Sequence, residues 1–73
     1  MMEVMYMSIL TKREKEIFEL LINDYSTSDI ANYLGISDKT VRNHISNVIQ
    51  KLGVGSRSQA IIELLKINEI KLF

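Results

Sequence analysis

The sequence contains no cysteine, no proline and no tryptophan, and only three glycines among its 73 residues. Without a thiol, neither a disulfide nor a zinc–thiolate site can stabilise a domain of this size, which leaves helix packing or oligomerisation to do so. The single histidine has no thiol or acid cluster beside it in the sequence, so it is a weak metal ligand. We therefore predict one small domain without a metal or a cofactor.

No apolar run is long enough to form a membrane-spanning helix. The apolar start of the chain carries Glu3 and neither Lys nor Arg, which makes it a poor signal peptide. Clustered carboxylates and a glycine-rich phosphate loop are also missing, so enzymatic activity is not expected. These absences favour a cytoplasmic protein that does not associate with a membrane.

The charges balance over the whole chain but not along it. Nine acidic and nine basic side chains give a net charge of zero, which by itself argues against nucleic acid as a partner. Residues 39–62, however, contain no acid. The basic side chains of this stretch are Lys39, Arg42, Lys51 and Arg57, with His44 among them. A basic middle between acidic flanks is typical of a protein that contacts a polyanion with one surface.

Four helical segments are predicted, and each begins at a hydroxyl side chain that can accept from the unpaired N–H groups of the first turn. These caps are Thr11, Ser26, Ser37 and Ser56. The reciprocal partners expected three residues later are Glu14, Asp29 and Gln59. Helical spacing predicts a core of Ile17, Phe18, Leu20, Leu21, Ile22, Ile30, Ala31, Leu34, Ile36, Val41, Ile45, Val48, Leu52, Ala60, Ile61, Leu64 and Leu65. The tail, residues 68–73, is too short to assign.

The third segment, residues 38–52, has an apolar edge and a polar face. Ser37 can cap its start, and Gly53 can adopt the left-handed conformation that ends a helix. The polar face carries Lys39, Arg42, Asn43, Ser46, Asn47 and Gln50, none of them acidic. Only Gly35 and Ile36 separate the preceding segment from the Ser37 cap, a spacing typical of a helix-turn-helix. In that motif the second helix enters the major groove of DNA.

Five blocks of the chain resemble LuxR-type DNA-binding domains: LTKRE at 10–14, IA at 30–31, KTVRNHI at 39–45, KLGV at 51–54 and SRSQA at 56–60. The resemblance implies an all-α, four-helix LuxR-type helix-turn-helix domain over residues 10–73, preceded by an extension over residues 1–9. One departure is Asp24, where the family usually has Gly at the end of the first helix; Asp tolerates the left-handed conformation better than most residues.

The family resemblance implies a sequence-specific transcription regulator, acting as activator, repressor or both. The shortness of the chain and the string TVRNHISN are most similar to a stand-alone sporulation regulator within that family, which implies control of late sporulation genes. Its partners would then be double-stranded DNA and RNA polymerase.

The residues expected to contact bases match the family's positions on the third helix: Arg42, Asn43 and Ser46, with Asn47 as a fourth. Arg fits the two acceptors of guanine, and Asn fits the acceptor–donor pair of adenine. The alternative for these side chains is an ordinary solvated helix face.

The residues expected to contact phosphates are Ser26, Thr27, Lys39, Thr40, His44, Lys51 and Arg57. Backbone N–H groups at helix starts and basic side chains both bind phosphate oxygens. The alternative is solubility for a single lysine and simple capping for Ser26. His44 is expected to pack beside the apolar edge of the third segment and also to form a hydrogen bond to a phosphate or to a backbone group.

The fourth helix leaves apolar side chains outside the predicted core. Ile62 and Ile67 face outward near Lys66, and an apolar patch on a small domain suggests a partner. The resemblance implies a homodimer through this helix, with Ile62, Lys66 and Ile67 in the interface. A twofold dimer would place its recognition helices about 34 Å apart, one turn of DNA.

The sequence leaves two alternatives to a complete DNA-binding regulator. The chain could be the DNA-binding output fragment of a longer response regulator, or a helical protein-interaction module that uses the third helix to bind another protein.

Overall fold

The computed structural model describes residues 9–73, and that range contains four helices and no strand. They are α1 (Lys12–Ile22), α2 (Thr27–Leu34), α3 (Asp38–Leu52) and α4 (Arg57–Lys66). The predicted all-α fold is confirmed. The predicted extension, residues 1–9, lies outside the described residues except for Ile9. None of these four helices has the length and apolarity that crossing a membrane requires.

All four predicted N-caps are observed. Ser37 Oγ, for example, accepts from Thr40 N at 3.0 Å, and Ser56 Oγ accepts from Gln59 N at 3.2 Å. Reciprocal capping boxes form at the starts of α1 and α2. The box predicted for α4 is wrong: Gln59 Oε1 accepts from Gly55 N at 2.8 Å instead of from the cap. The more extended backbone at Ser56 (φ −157°) presents the N–H of the preceding residue to Gln59.

The turns between helices use the left-handed conformation where the sequence predicts it. Gly35 and Gly53 have φ values of 70° and 69° and end α2 and α3. Asp24 adopts φ 74° after α1, so this turn forms without the glycine that the family resemblance would place there. Because Gly35 reverses the chain so tightly, α3 starts three residues later and crosses directly against α2.

The core lies between the facing edges of the helices, and its buried apolar residues are Leu10, Ile17, Phe18, Leu20, Ile30, Ala31, Val41, Ile45, Val48, Ala60, Leu64 and Ile70. Most of the other predicted core residues pack partly buried around it. Leu65 is a correction, because 40% of it is exposed. Among the described helices α4 packs mainly on α3, so only the narrow edge formed by Ala60, Ile61 and Leu64 turns inward.

The tail after α4 closes the core, which the sequence did not predict. The chain turns at Asn68 (φ 61°) and buries Ile70 among the helices. Two backbone groups then bond to α1 and its C-cap: Lys71 N donates to Glu19 Oε2 at 3.1 Å, and Phe73 N donates to Asn23 Oδ1 at 3.0 Å. The tail therefore binds the C-terminal half of α1, at the end of the helix opposite to the Thr11 cap.

Candidate nucleic-acid interface

Helices α2 and α3 form the predicted helix-turn-helix, and buried side chains fix the rotation of α3. Val41 and Val48 are completely buried and Ile45 is 3% exposed, so one edge of α3 is held against the core. One side-chain hydrogen bond also joins the two helices: Ser28 Oγ, near the start of α2, donates to Asp38 Oδ2, at the start of α3, at 2.9 Å. The opposite face of α3 therefore points away from the domain in a fixed direction.

The outward face of α3 carries the predicted base-contacting residues side by side. Arg42, Asn43, Ser46 and Asn47 are all exposed, as are Lys39 and Gln50 at the two ends of the row. Residues three and four apart are neighbours on a helix surface, so these side chains form one continuous stripe. Within residues 9–73 no hydrogen bond engages the side chains of Asn43, Ser46 or Asn47, which leaves their donors and acceptors open to a ligand.

The polar stripe is not free of acid at its start. Asp38, the first residue of α3, places Oδ2 4.0 Å from Arg42 Nη1. The acid-free stretch in the sequence begins at the next residue, so Asp38 is not among the predicted site residues. The sequence could have predicted the contact between Asp38 and Arg42, because Asp and Arg at i and i+4 on a helix commonly pair.

The predicted phosphate-contacting residues lie mostly at helix starts. Ser26 Oγ caps α2 by accepting from Asp29 N at 3.0 Å, and Thr27 is the first residue of that helix. Thr40 Oγ1 lies 2.9 Å from Ser37 Oγ at the start of α3. These hydroxyls surround the N-terminal ends of both helices, where unpaired N–H groups and the helix dipole favour an anion.

Three further predicted contacts lie apart from those helix starts. His44 is half-buried on α3, next to the apolar edge. Arg57 is exposed at the first position of α4. Lys51 lies in the last turn of α3, where it is paired with a carboxylate of α1.

Lys51, an exposed residue, is held within the domain by two hydrogen bonds from its ammonium. Its Nζ donates to Glu14 Oε1 at 2.6 Å and to the carbonyl oxygen of Ile9 at 3.0 Å. The Glu14 side chain is 6% exposed, whereas that of Lys51 is 34% exposed. The ammonium therefore joins the end of α3 to the start of α1.

Glu14 remains charged in this position. Burial by itself would raise the pKa of its carboxyl, but the hydrogen bonds from Lys51 and Thr11 and the charge of the ammonium outweigh burial and lower the pKa below its ordinary value. Because Glu14 also completes the α1 capping box, one carboxylate serves both the cap and the link to α3.

The predicted dimer surface on α4 is exposed. Ile62 and Ile67 are 57% and 47% exposed, and Lys66 lies between them. Leu65, which the sequence assigned to the core, adds a third exposed aliphatic side chain to this surface. We call Ile62, Leu65, Lys66 and Ile67 the α4 patch.

Comparisons with known proteins agree with this geometry. The model of the family described as bacterial regulatory proteins, luxR family, matches residues 8–64. The chain is 62% identical over 64 residues to the spore germination protein GerE of Bacillus subtilis, covering 88% of this chain and 86% of that protein. It is 46% identical over 63 residues to the transcriptional regulatory protein DegU of Brevibacillus brevis, covering 86% of this chain but 27% of that protein.

A solved structure of the transcription factor GerE superposes on this chain with a TM-score of 0.88 and 66% sequence identity. The superposition covers 92% of this chain and all of the solved one.

Proposed function

Because this chain belongs to the luxR family of bacterial regulatory proteins and is a DNA-binding transcription regulator, we propose that it contacts bases through α3, lying in the major groove. The family resemblance predicted from the five sequence blocks is confirmed. In the proposal, Arg42, Asn43, Ser46 and Asn47 face the base edges. The observation that carries it is the outward stripe of side chains, fixed in direction by the buried edge of α3.

The base preferences follow from the chemistry of the stripe. The Arg42 guanidinium fits O6 and N7 of a guanine, and the Asn43 or Asn47 amide fits N6 and N7 of an adenine. Ser46 can donate or accept, so it discriminates less. The proposed site therefore includes a guanine near the N-terminal part of α3 and an adenine near Asn43 or Asn47.

Phosphate contacts would set the position of α3 in the groove. We assign them to the hydroxyls and N–H groups at the starts of α2 and α3, and to exposed basic side chains. The residues are Ser26, Thr27, Lys39, Thr40, His44, Lys51 and Arg57. Such contacts carry no sequence information, but they fix the orientation of a protein on the duplex.

We propose that the domain, residues 10–73, acts as a homodimer through the α4 patch. The exposed aliphatic side chains on one helix support this, and a small core gains stability from such an interface. A twofold pair would present two α3 helices to successive major grooves and bind an inverted repeat.

Charged substitutions in the α4 patch are expected to weaken the dimer. Ile62→Glu or Ile67→Glu would place a carboxylate in the apolar interface, where its desolvation is costly. Sedimentation equilibrium should then show a shift to monomer. Leu72→Glu is the matched control, since Leu72 is also an exposed aliphatic residue (68%) but lies in the tail. Unchanged association of both α4 variants would contradict the interface.

The proposed consequence of binding is regulation of transcription at promoters, through helping or blocking RNA polymerase. The similarity to a spore germination protein supports late sporulation genes as targets. The proposal places the protein in the cytoplasm and assigns it no enzymatic step.

The salt dependence of binding tests this function against the alternative of a protein-interaction module. A domain that neutralises several phosphates should lose affinity for a duplex steeply with salt, with log K falling by about 0.9 per log salt for each phosphate contacted. We expect a slope equivalent to about four or more contacts per dimer. An absence of measurable binding to any duplex at low salt would contradict the proposal.

A further inference from the structure

One acidic side chain lies where the proposed DNA surface begins. Asp38 is the first residue of α3, and its side chain is 44% exposed. Every other residue of the outward stripe is basic or neutral. A carboxylate here would lie near the phosphates that flank the groove, and it would oppose binding to any DNA.

The structure holds this carboxylate in a defined place. Ser28 Oγ, on α2, donates to Asp38 Oδ2 at 2.9 Å. The same oxygen lies 4.0 Å from Arg42 Nη1, one turn further along α3. The carboxylate is thus attached on one side to the supporting helix and faces, on the other side, the arginine proposed to contact a base.

Stabilisation of the start of α3 explains only part of why an acid occupies position 38. An acid in the first turn of a helix is favoured by the helix dipole. An asparagine would keep the bond from Ser28 and would not repel phosphates. Besides this interaction with the dipole, the charged form supplies an attraction on the guanidinium of Arg42, whose side chain is 57% exposed and otherwise open to phosphates.

We propose that Asp38 is a positioning residue that raises the sequence specificity of Arg42, an inference that rests on the proposed function of α3. On random DNA, the carboxylate competes with phosphates for the guanidinium, so the non-specific binding that Arg42 would add is weakened. At the correct site, a guanine offers Arg42 two acceptors in one plane, and this bidentate contact outweighs the exposed ion pair.

The test compares two duplexes: one selected from a random library by the wild-type protein, and one of scrambled sequence. Asp38→Asn keeps the shape and the Ser28 bond but removes the charge. We expect its affinity for the scrambled duplex to rise about three- to fivefold, the upper end of the range for one exposed ion pair, and its affinity for the selected duplex to change less than about twofold. The specificity ratio therefore falls.

Two further variants separate positioning from general charge and from structure. Asp24→Asn removes the same charge from the α1–α2 turn, outside the stripe, and should leave the ratio unchanged. In an Arg42→Ala background, Asp38→Asn should no longer change the ratio, because the residue through which Asp38 acts is gone. Circular dichroism melting of each variant verifies that the fold is kept.

The outcomes distinguish this inference from the function beneath it. A wild-type protein that does not discriminate between the duplexes would overturn the proposed function and this inference with it. Normal wild-type discrimination with an unchanged ratio in Asp38→Asn would overturn the inference alone. A loss of affinity for the selected duplex that persists without Arg42 would also overturn it, since Asp38 would then contact a base itself.

Discussion

Arg42→Ala is expected to weaken binding to the selected duplex by about 1–3 kcal/mol while changing the affinity for scrambled DNA little. The Arg42 side chain is exposed in the N-terminal half of the outward stripe of α3, and Arg42 is the one arginine of that stripe. Fluorescence anisotropy with both duplexes at one fixed salt concentration measures the two affinities.

Lys39→Ala is the matched control for that experiment. Lys39 is an exposed basic residue on the same helix and is proposed to contact a phosphate. Its loss should weaken binding to both duplexes alike and reduce the salt slope by about 0.9 per subunit, or about 1.8 for the dimer. An equal loss on both duplexes for Arg42→Ala would identify Arg42 as a phosphate contact and contradict its proposed role.

Lys51→Met is expected to lower the free energy of unfolding by about 2–4 kcal/mol, a large effect for a domain of this size. The substitution leaves the buried Glu14 carboxylate without its ammonium partner, 2.6 Å away in the wild-type protein. Partial exposure of Lys51 lets water reach the site, which limits the loss. Urea unfolding at pH 7 measures it.

The Glu14–Lys51 pair also predicts how stability depends on pH. The pKa of Glu14 is lowered in the folded protein, so its contribution is present above the ordinary glutamate pKa of about 4.3 and is lost as the pH falls through the folded value. Wild-type stability should therefore decline in acid. Lys51→Met should show a weaker acid dependence, because the hydrogen bond and the charge by which Lys51 lowers the pKa of Glu14 are gone.

Two variants serve as controls for the pair. Lys15→Met removes an exposed lysine from α1 and should change stability by less than about 0.5 kcal/mol. Glu14→Gln combined with Lys51→Met should recover part of the loss, since no uncompensated charge stays buried. A Lys51→Met variant as stable as Lys15→Met would show that the pair contributes nothing.

The features that could be predicted from the sequence are local ones. A cap such as Ser37 and a turn residue such as Gly35 act within a few positions of themselves, so their roles follow from spacing alone. The outward stripe of α3 follows in the same way from the helical period. The turn at Asp24 was predictable from the family resemblance, which places a glycine there, and from the tolerance of Asp for the left-handed conformation.

The features that could not be predicted depend on residues far apart in the chain. Lys51 meets Glu14 across 37 positions, and the capping box had already explained Glu14 by itself. Ile70 is buried only because the tail folds back along α1. Leu65 is exposed because α4 presents only a narrow edge to the core. Each of these outcomes was decided by tertiary packing, which helical spacing does not encode.

The central claim is that α3 contacts bases from the major groove, and methylation interference on the selected duplex tests it most directly. Dimethyl sulfate modifies guanine at N7 in the major groove and adenine at N3 in the minor groove. We predict that methylation of one guanine N7 per half-site prevents binding, and that Arg42→Ala no longer discriminates at that guanine. Interference confined to adenine N3 would place the protein in the minor groove and contradict the account.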